Sequence, residues 1–127
     1  MLFVLVWSTA SFAQSVETQA KRTTDKKFWL VAAGLNTAML LDTKSTFDVS
    51  RRCPDCIEAN PFVAPFVNRG PKTTYVAGLV FDAGVMTVAA KMKGSEHAWA
   101  RHTWWVMPAA LATGHLIAYR HNINLAR

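Results

Sequence analysis

Three long apolar stretches dominate the sequence and restrict what the chain can fold into. Each approaches the roughly 20 residues that cross a bilayer as a helix. The first carries no charge, and each of the other two contains a single ionisable residue. They are Phe28–Leu41, Thr73–Ala90 with Asp82 near its middle, and Thr103–Tyr119 with His115.

The middle stretch excludes a small water-soluble helical bundle. Thr73–Ala90 is apolar on every side of a helix, and such a helix must be buried all round. A chain of 127 residues is too short to surround three such helices with protein. The sequence therefore predicts an all-α, small polytopic membrane protein with three transmembrane helices at about 28–49, 73–91 and 103–120. Pro108 is expected to kink the third.

The charge distribution favours a lipid partner. The net charge is +6, and the basic residues flank the apolar stretches. That placement suits anionic lipid headgroups. No aromatic-and-basic motif typical of nucleic-acid binding accompanies it. We therefore predict contact with a lipid bilayer and no binding of nucleic acid.

The first thirteen residues have the character of a signal peptide. Residues 1–13 carry no charge, contain the apolar core Leu2–Trp7, and place Ser11 and Ala13 at the small positions of a signal-peptidase site. The positively charged start of a signal peptide is absent, so an uncleaved interfacial segment or a misassigned start is an alternative. Residues 14–127 are then predicted to form one helical membrane domain.

Polar residues on the predicted helices form the candidate site. Asp42 and Thr46 are four residues apart and share a helix face, whereas Asp82 and His115 lie within the other two helices. Ionisable groups at membrane depth are costly, so they face the bundle interior and pair. They either orient the helices or form a site that binds a divalent metal or relays protons. The catalytic or metal-binding candidates are Asp42, Glu58, Asp82 and His115.

The loop after the first helix holds two further features. Asn60 and Pro61 are typical of a helix start, which predicts a short interfacial or re-entrant helix. Cys53 and Cys56 have Cys-x-x-Cys spacing but no strand-and-helix context of a thioredoxin. A disulfide, a zinc site with two further ligands, or two incidental thiols are the alternatives. No nucleotide or cofactor fingerprint is present, and any cofactor is unknown.

Two motifs together resemble those of a family of small uncharacterised bacterial membrane proteins, classed only as a domain of unknown function. They are Leu41-Asp42-x-x-x-Thr46 and Glu58-Ala59-Asn60-Pro61, followed by two more hydrophobic helices. The resemblance covers roughly residues 28–122 and implies an integral membrane location, and we expect the membrane to be the bacterial inner membrane. It implies no activity, and the Cys-Pro-Asp-Cys loop is not part of the pattern.

The favoured interpretation of function is a non-enzymatic structural or interaction component of the membrane. Small size and the lack of a catalytic signature support it. Two alternatives are a membrane-embedded, metal-assisted hydrolase of a lipid-like substrate and a proton-coupled transport component. Whether the chain is an enzyme is left open, and a homo-oligomer or a membrane-protein partner is compatible with each hypothesis.

Overall fold

Helices are the only regular secondary structure in the described part of the chain, which confirms the all-α prediction. A computed structural model describes residues 23–53, 58 and 60–125, so the predicted signal peptide and Cys56 lie outside it. These residues form five helices and no strand. The helices are α1 (Lys26–Arg52), α2 (Ala64–Val67), α3 (Pro71–Lys93), α4 (Ala98–Thr103) and α5 (Val106–Leu125).

The three long helices pack side by side in alternating directions. The start of α1 contacts the end of α3, since Lys93 forms an ion pair with Asp25. Asn122 near the end of α5 contacts Ser45 in the second half of α1, so α5 runs parallel to α1. Most helix–helix contacts are those of α1 with α5, followed by α1 with α3. Helix α1 therefore lies at the centre of the arrangement.

One end of the bundle is closed by a cluster that joins α1, α3 and the turn between α4 and α5. Asp25 caps α1 by accepting a hydrogen bond from the N–H of Phe28 at 2.9 Å. Its carboxylate also pairs with Lys93, whose ammonium lies 4.7 Å from the ring centroid of Trp104. The rings of Phe28 and Trp104 are 5.9 Å apart. We call Asp25, Phe28, Lys93 and Trp104 the end cluster.

The third apolar stretch is broken rather than kinked. Helix α4 ends at Thr103, Trp104 and Trp105 form a turn, and Pro108 lies in the first turn of α5. Proline has no N–H to donate to the carbonyl four residues earlier, here that of Trp104. A backbone N–H in the first turn of a helix has no acceptor within that helix, so a proline at position 108 removes no intrahelical hydrogen bond.

Asn60 stabilises the turn in the loop that follows α1. Its side-chain oxygen accepts a hydrogen bond from the N–H of Phe62 at 3.0 Å, and its carbonyl accepts from Val63 and Ala64. Helix α2 begins only at Ala64. Pro61 consequently lies in the turn before the short helix rather than in its first turn.

Helix α3 is the one helix in the described residues that is long and apolar enough to cross a membrane. Of the three predicted membrane spans, length and composition thus support only the one formed by α3. Polar residues interrupt the other two long helices, including Asp42 and Lys44 in α1 and His115 and Arg120 in α5.

Replacing Asp25 with Asn should lower thermal stability near neutral pH, and the difference from wild type should shrink in acid. The Lys93 ammonium, and next the N–H of Phe28, hold the pKa of Asp25 below its ordinary value. A carboxyl group with a lowered folded-state pKa stabilises the fold above its unfolded pKa. That contribution is lost as the pH falls through the folded pKa. Thermal unfolding between about pH 6 and about pH 3 measures the effect.

Asp48→Asn is the matched control. Asp48 pairs with Lys44 and Arg51, which lie on the same helix, so its loss separates no two elements. It should change the unfolding temperature less than Asp25→Asn does. An Asp25→Asn difference that stays constant from neutral to acid pH would show that the carboxylate does not stabilise the end cluster.

Gly78→Ala should destabilise the contact between α1 and α3. A Cβ atom at Gly78 would lie 2.7 Å from the Sδ of Met39, which is buried and must then move. Gly84→Ala on the same helix meets no described atom within 4 Å and serves as the control. Both alanine variants gain helix propensity, so the comparison between them is what matters, and we expect Gly78→Ala to be less stable than Gly84→Ala by about 1 kcal/mol. Equal stability of the two variants would contradict the close approach at Gly78.

Candidate functional site

Asp42 and His115 form the centre of the polar site. The Nδ1 of His115 lies 2.8 Å from the Oδ2 of Asp42, at hydrogen-bond distance. Asp42 comes from α1 and His115 from the middle of α5, so this contact joins the two helices with the largest shared interface. Both side chains are largely but not fully buried.

Asn122 adds a second point of contact on the same face of α5. It follows His115 by about two helical turns. Its amide nitrogen lies 3.0 Å from the Ser45 hydroxyl and 3.1 Å from that of Thr46. The same nitrogen is 3.5 Å from the Oδ1 of Asp42. A neutral amide has two N–H hydrogens, so the three oxygens share them. We call Asp42, Ser45, Thr46, His115 and Asn122 the α1–α5 network.

Asp82 lies close to this network but outside its hydrogen bonds. Its side chain on α3 is 1% exposed, and neither carboxylate oxygen has a hydrogen-bond partner among the described residues. Asp82 and His115 nevertheless interact electrostatically. The structure therefore brings Asp42, Asp82 and His115 into one region, and it is Asp42 that bonds to the histidine.

Glu58, the loop candidate for the polar site, makes its described hydrogen bond within the loop. Glu58 accepts a hydrogen bond from the N–H of Asn60 at 2.9 Å. Cys53 follows the last residue of α1 and takes part in a disulfide, whereas Cys56 lies outside the described residues. The pairing of these two cysteines with each other stays a prediction.

The donor set of the site favours hydrogen bonding over metal ligation. Within the part of the chain that the structure describes, no group of three or more His, Cys, Asp or Glu side chains is placed to hold a metal ion. Metal-assisted chemistry at Asp42, Glu58, Asp82 and His115 thus gains no support from these residues. The α1–α5 network can hold two helices in register, and its imidazole can exchange a proton.

Two residues of the network were not among the candidates from sequence. Asn122 lies on the His115 face of its helix, which is the signal that could have identified it. Ser45 neighbours Thr46, but nothing in the sequence distinguishes it from the other small polar residues of α1. Its hydroxyl also donates to the backbone carbonyl of Asp42 at 2.8 Å, as serines commonly do in helices.

Comparison with known proteins gives no relative from which a role could be transferred. No family model, no curated protein and no solved structure matches the chain. The resemblance of the Asp42–Thr46 and Glu58–Pro61 motifs to a bacterial family therefore stays a prediction, and the function must be argued from the residues themselves.

Asp42→Ala and His115→Ala should each destabilise the protein, and the double variant should lose less than the sum. The non-additive part reports the contact between the two side chains. For side chains in direct contact we expect a coupling of about 0.5–2 kcal/mol. Reversible unfolding in detergent micelles of the wild type, both single variants and the double variant measures it.

Asp48→Ala combined with His115→Ala is the control cycle. Asp48 is also a carboxylate of α1, but its ion pairs are with Lys44 and Arg51 of the same helix. This cycle should show additive effects. Additivity of Asp42→Ala with His115→Ala would mean that the contact between α1 and α5 does not contribute to stability.

Proposed function

We propose that the chain is an integral membrane protein that acts as a non-enzymatic structural or interaction component of the membrane. In this proposal α1, α3 and α5 all cross the bilayer. The observation that carries it is the placement of large apolar side chains on the outside of the bundle. Val80 of α3 is 67% exposed, Ile117 of α5 is 66% exposed and Leu30 of α1 is 62% exposed.

The outer face of α3 supports a lipid environment. Only 28% of its apolar stretch is buried, whereas the core helix of a soluble protein is mostly buried. Soluble monomers rarely expose a large contiguous apolar patch. The exposed large side chains of α3 are Val76, Leu79, Val80, Phe81 and Val88. Hydrocarbon around them removes the cost of exposing them to water.

The groove between α3 and α5 has the same character. Its lining consists of apolar residues from both helices, including Val80, Val88 and Met107. Such a surface offers no hydrogen-bonding group to a polar substrate. It fits contact with acyl chains or with an apolar helix, as expected of a membrane component.

Aromatic and basic residues at one end of the bundle suit a membrane–water interface. Trp29 near the start of α1, Trp99 in α4 and Trp105 before α5 are all exposed. Lys91 and Lys93 lie in the last turn of α3, at the same end. Tryptophan and lysine are enriched at the headgroup level. The proposal includes the bacterial inner membrane, on the strength of the family resemblance described above.

The α1–α5 network supports a structural role for the polar residues. Helices in lipid associate through packing and hydrogen bonds, because hydrocarbon removes the hydrophobic drive between them. Asp42, His115 and Asn122 satisfy one another across two helices. These hydrogen bonds are made within the protein, as a joint between helices requires.

The full-length chain should remain with membranes after alkaline carbonate extraction and should be released by detergent. Val80→Asp should reduce this retention, because a carboxylate at an exposed position in the middle of α3 would face hydrocarbon. Lys72→Asp, at the exposed start of the same helix, should not. Recovery of a folded wild-type monomer in the supernatant without detergent would contradict the membrane location. A purified activity abolished by His115→Gln in a folded protein would contradict the non-enzymatic role.

A further inference from the structure

Asp82 is the polar group that the proposed function leaves unexplained. It is 1% exposed, and both carboxylate oxygens lack a hydrogen-bond partner among the described residues. An ionised carboxylate in that position would carry a large uncompensated desolvation cost. A neutral carboxylic acid avoids most of this cost, since burying a polar group is far cheaper than burying a charge.

The side of α1 that faces α3 offers Asp82 no cation. Leu35, Ala38 and Met39 are buried on it, and Met39 packs against Gly78, one turn before Asp82. On α3 itself the neighbours one turn away are Gly78 and Met86, neither of which titrates. The apolar lining explains why no counter-charge bonds to the carboxyl group.

The titratable groups around Asp82 are those of the α1–α5 network. Helix α5 contributes His115, which interacts electrostatically with Asp82, and α1 contributes Asp42, which interacts with His115. The Nδ1 of His115 is already committed to Asp42. His115 therefore hydrogen-bonds to Asp42 and not to Asp82, whose oxygens have no partner among the described residues.

We propose that Asp82 is a proton-binding site: in the folded bundle it holds an exchangeable proton as a neutral carboxylic acid. Proton uptake converts the carboxylate and a hydronium ion into the acid and water, and no other reactant is needed. A proton fits the site better than a metal ion. Hard cations take six or more oxygen ligands, and no ligand cluster surrounds Asp82 in the described residues.

The proton-binding site rests on the proposed function and extends it. The burial of Asp82 itself does not depend on lipid. Helices α1, α3 and α5 themselves cover Asp82. Extraction from membranes therefore tests the location of the protein, and the protonation of Asp82 is tested separately. Either result can fail without the other.

Infrared spectroscopy of the purified full-length protein at neutral pH tests the proposal. The wild type should show the carbonyl stretch of a protonated carboxylic acid, displaced in deuterated buffer. Asp82→Asn should abolish that band, and Asp42→Asn should leave it. A spectrum in which Asp82→Asn removes nothing, or in which Asp42→Asn removes the band, would overturn the proposal.

A second measurement on the wild type covers the case in which Asp82→Asn fails to fold. A hydrophobic carbodiimide adds to a protonated carboxyl group and leaves an adduct of defined mass on that side chain. Mass spectrometry of the labelled, folded protein should locate the adduct at Asp82. An adduct at Asp42 with none at Asp82 would assign the proton to the wrong carboxyl group and overturn the proposal.

Discussion

The hydrogen bond between His115 and Asp42 determines how α5 lies against α1. It fixes the rotation of both helices, because each side chain must point at the other. Asn122, about 10 Å further along α5, bonds to Ser45 and Thr46 and fixes the register. Two polar contacts about two turns apart along α5 thus specify the register of the interface, which small apolar residues alone would not fix.

The polar joint and the apolar outer surface belong to one arrangement. Outward positions of α3 and α5 carry Val80, Phe81 and Ile117, whereas Asp42, Asp82 and His115 turn inward. Asp42 follows the apolar stretch of α1 and His115 interrupts that of α5, and charged residues outside the network, such as Lys44 and Arg120, add to the polarity of both helices. Of the described helices, α3 alone is long and apolar enough to cross a membrane.

Much of the fold could be predicted from the sequence, but the pairing within the site could not. The apolar stretches predict the three long helices, and helical periodicity places Thr46 beside Asp42 and Asn122 beside His115. Periodicity gives a face of each helix and says nothing of how neighbouring helices are rotated. That rotation decides whether Asp42 or Asp82 is the partner of His115. It also decides whether Ser45 belongs to the α1–α5 network. The break before Val106 depends on where the chain turns, which Pro108 alone does not specify.

The most direct test of this account is the distance between the Nδ1 of His115 and the carboxyl carbon of Asp42 in lipid bilayers. Solid-state NMR with ¹⁵N-labelled histidine and ¹³C-labelled aspartate measures it by dipolar recoupling, with Asp42→Asn assigning the signal. The account predicts the strong coupling of a directly hydrogen-bonded pair, in keeping with the 2.8 Å contact. A coupling between His115 and Asp82 in its place, or none to any carboxyl carbon, would contradict the arrangement of α5 on α1.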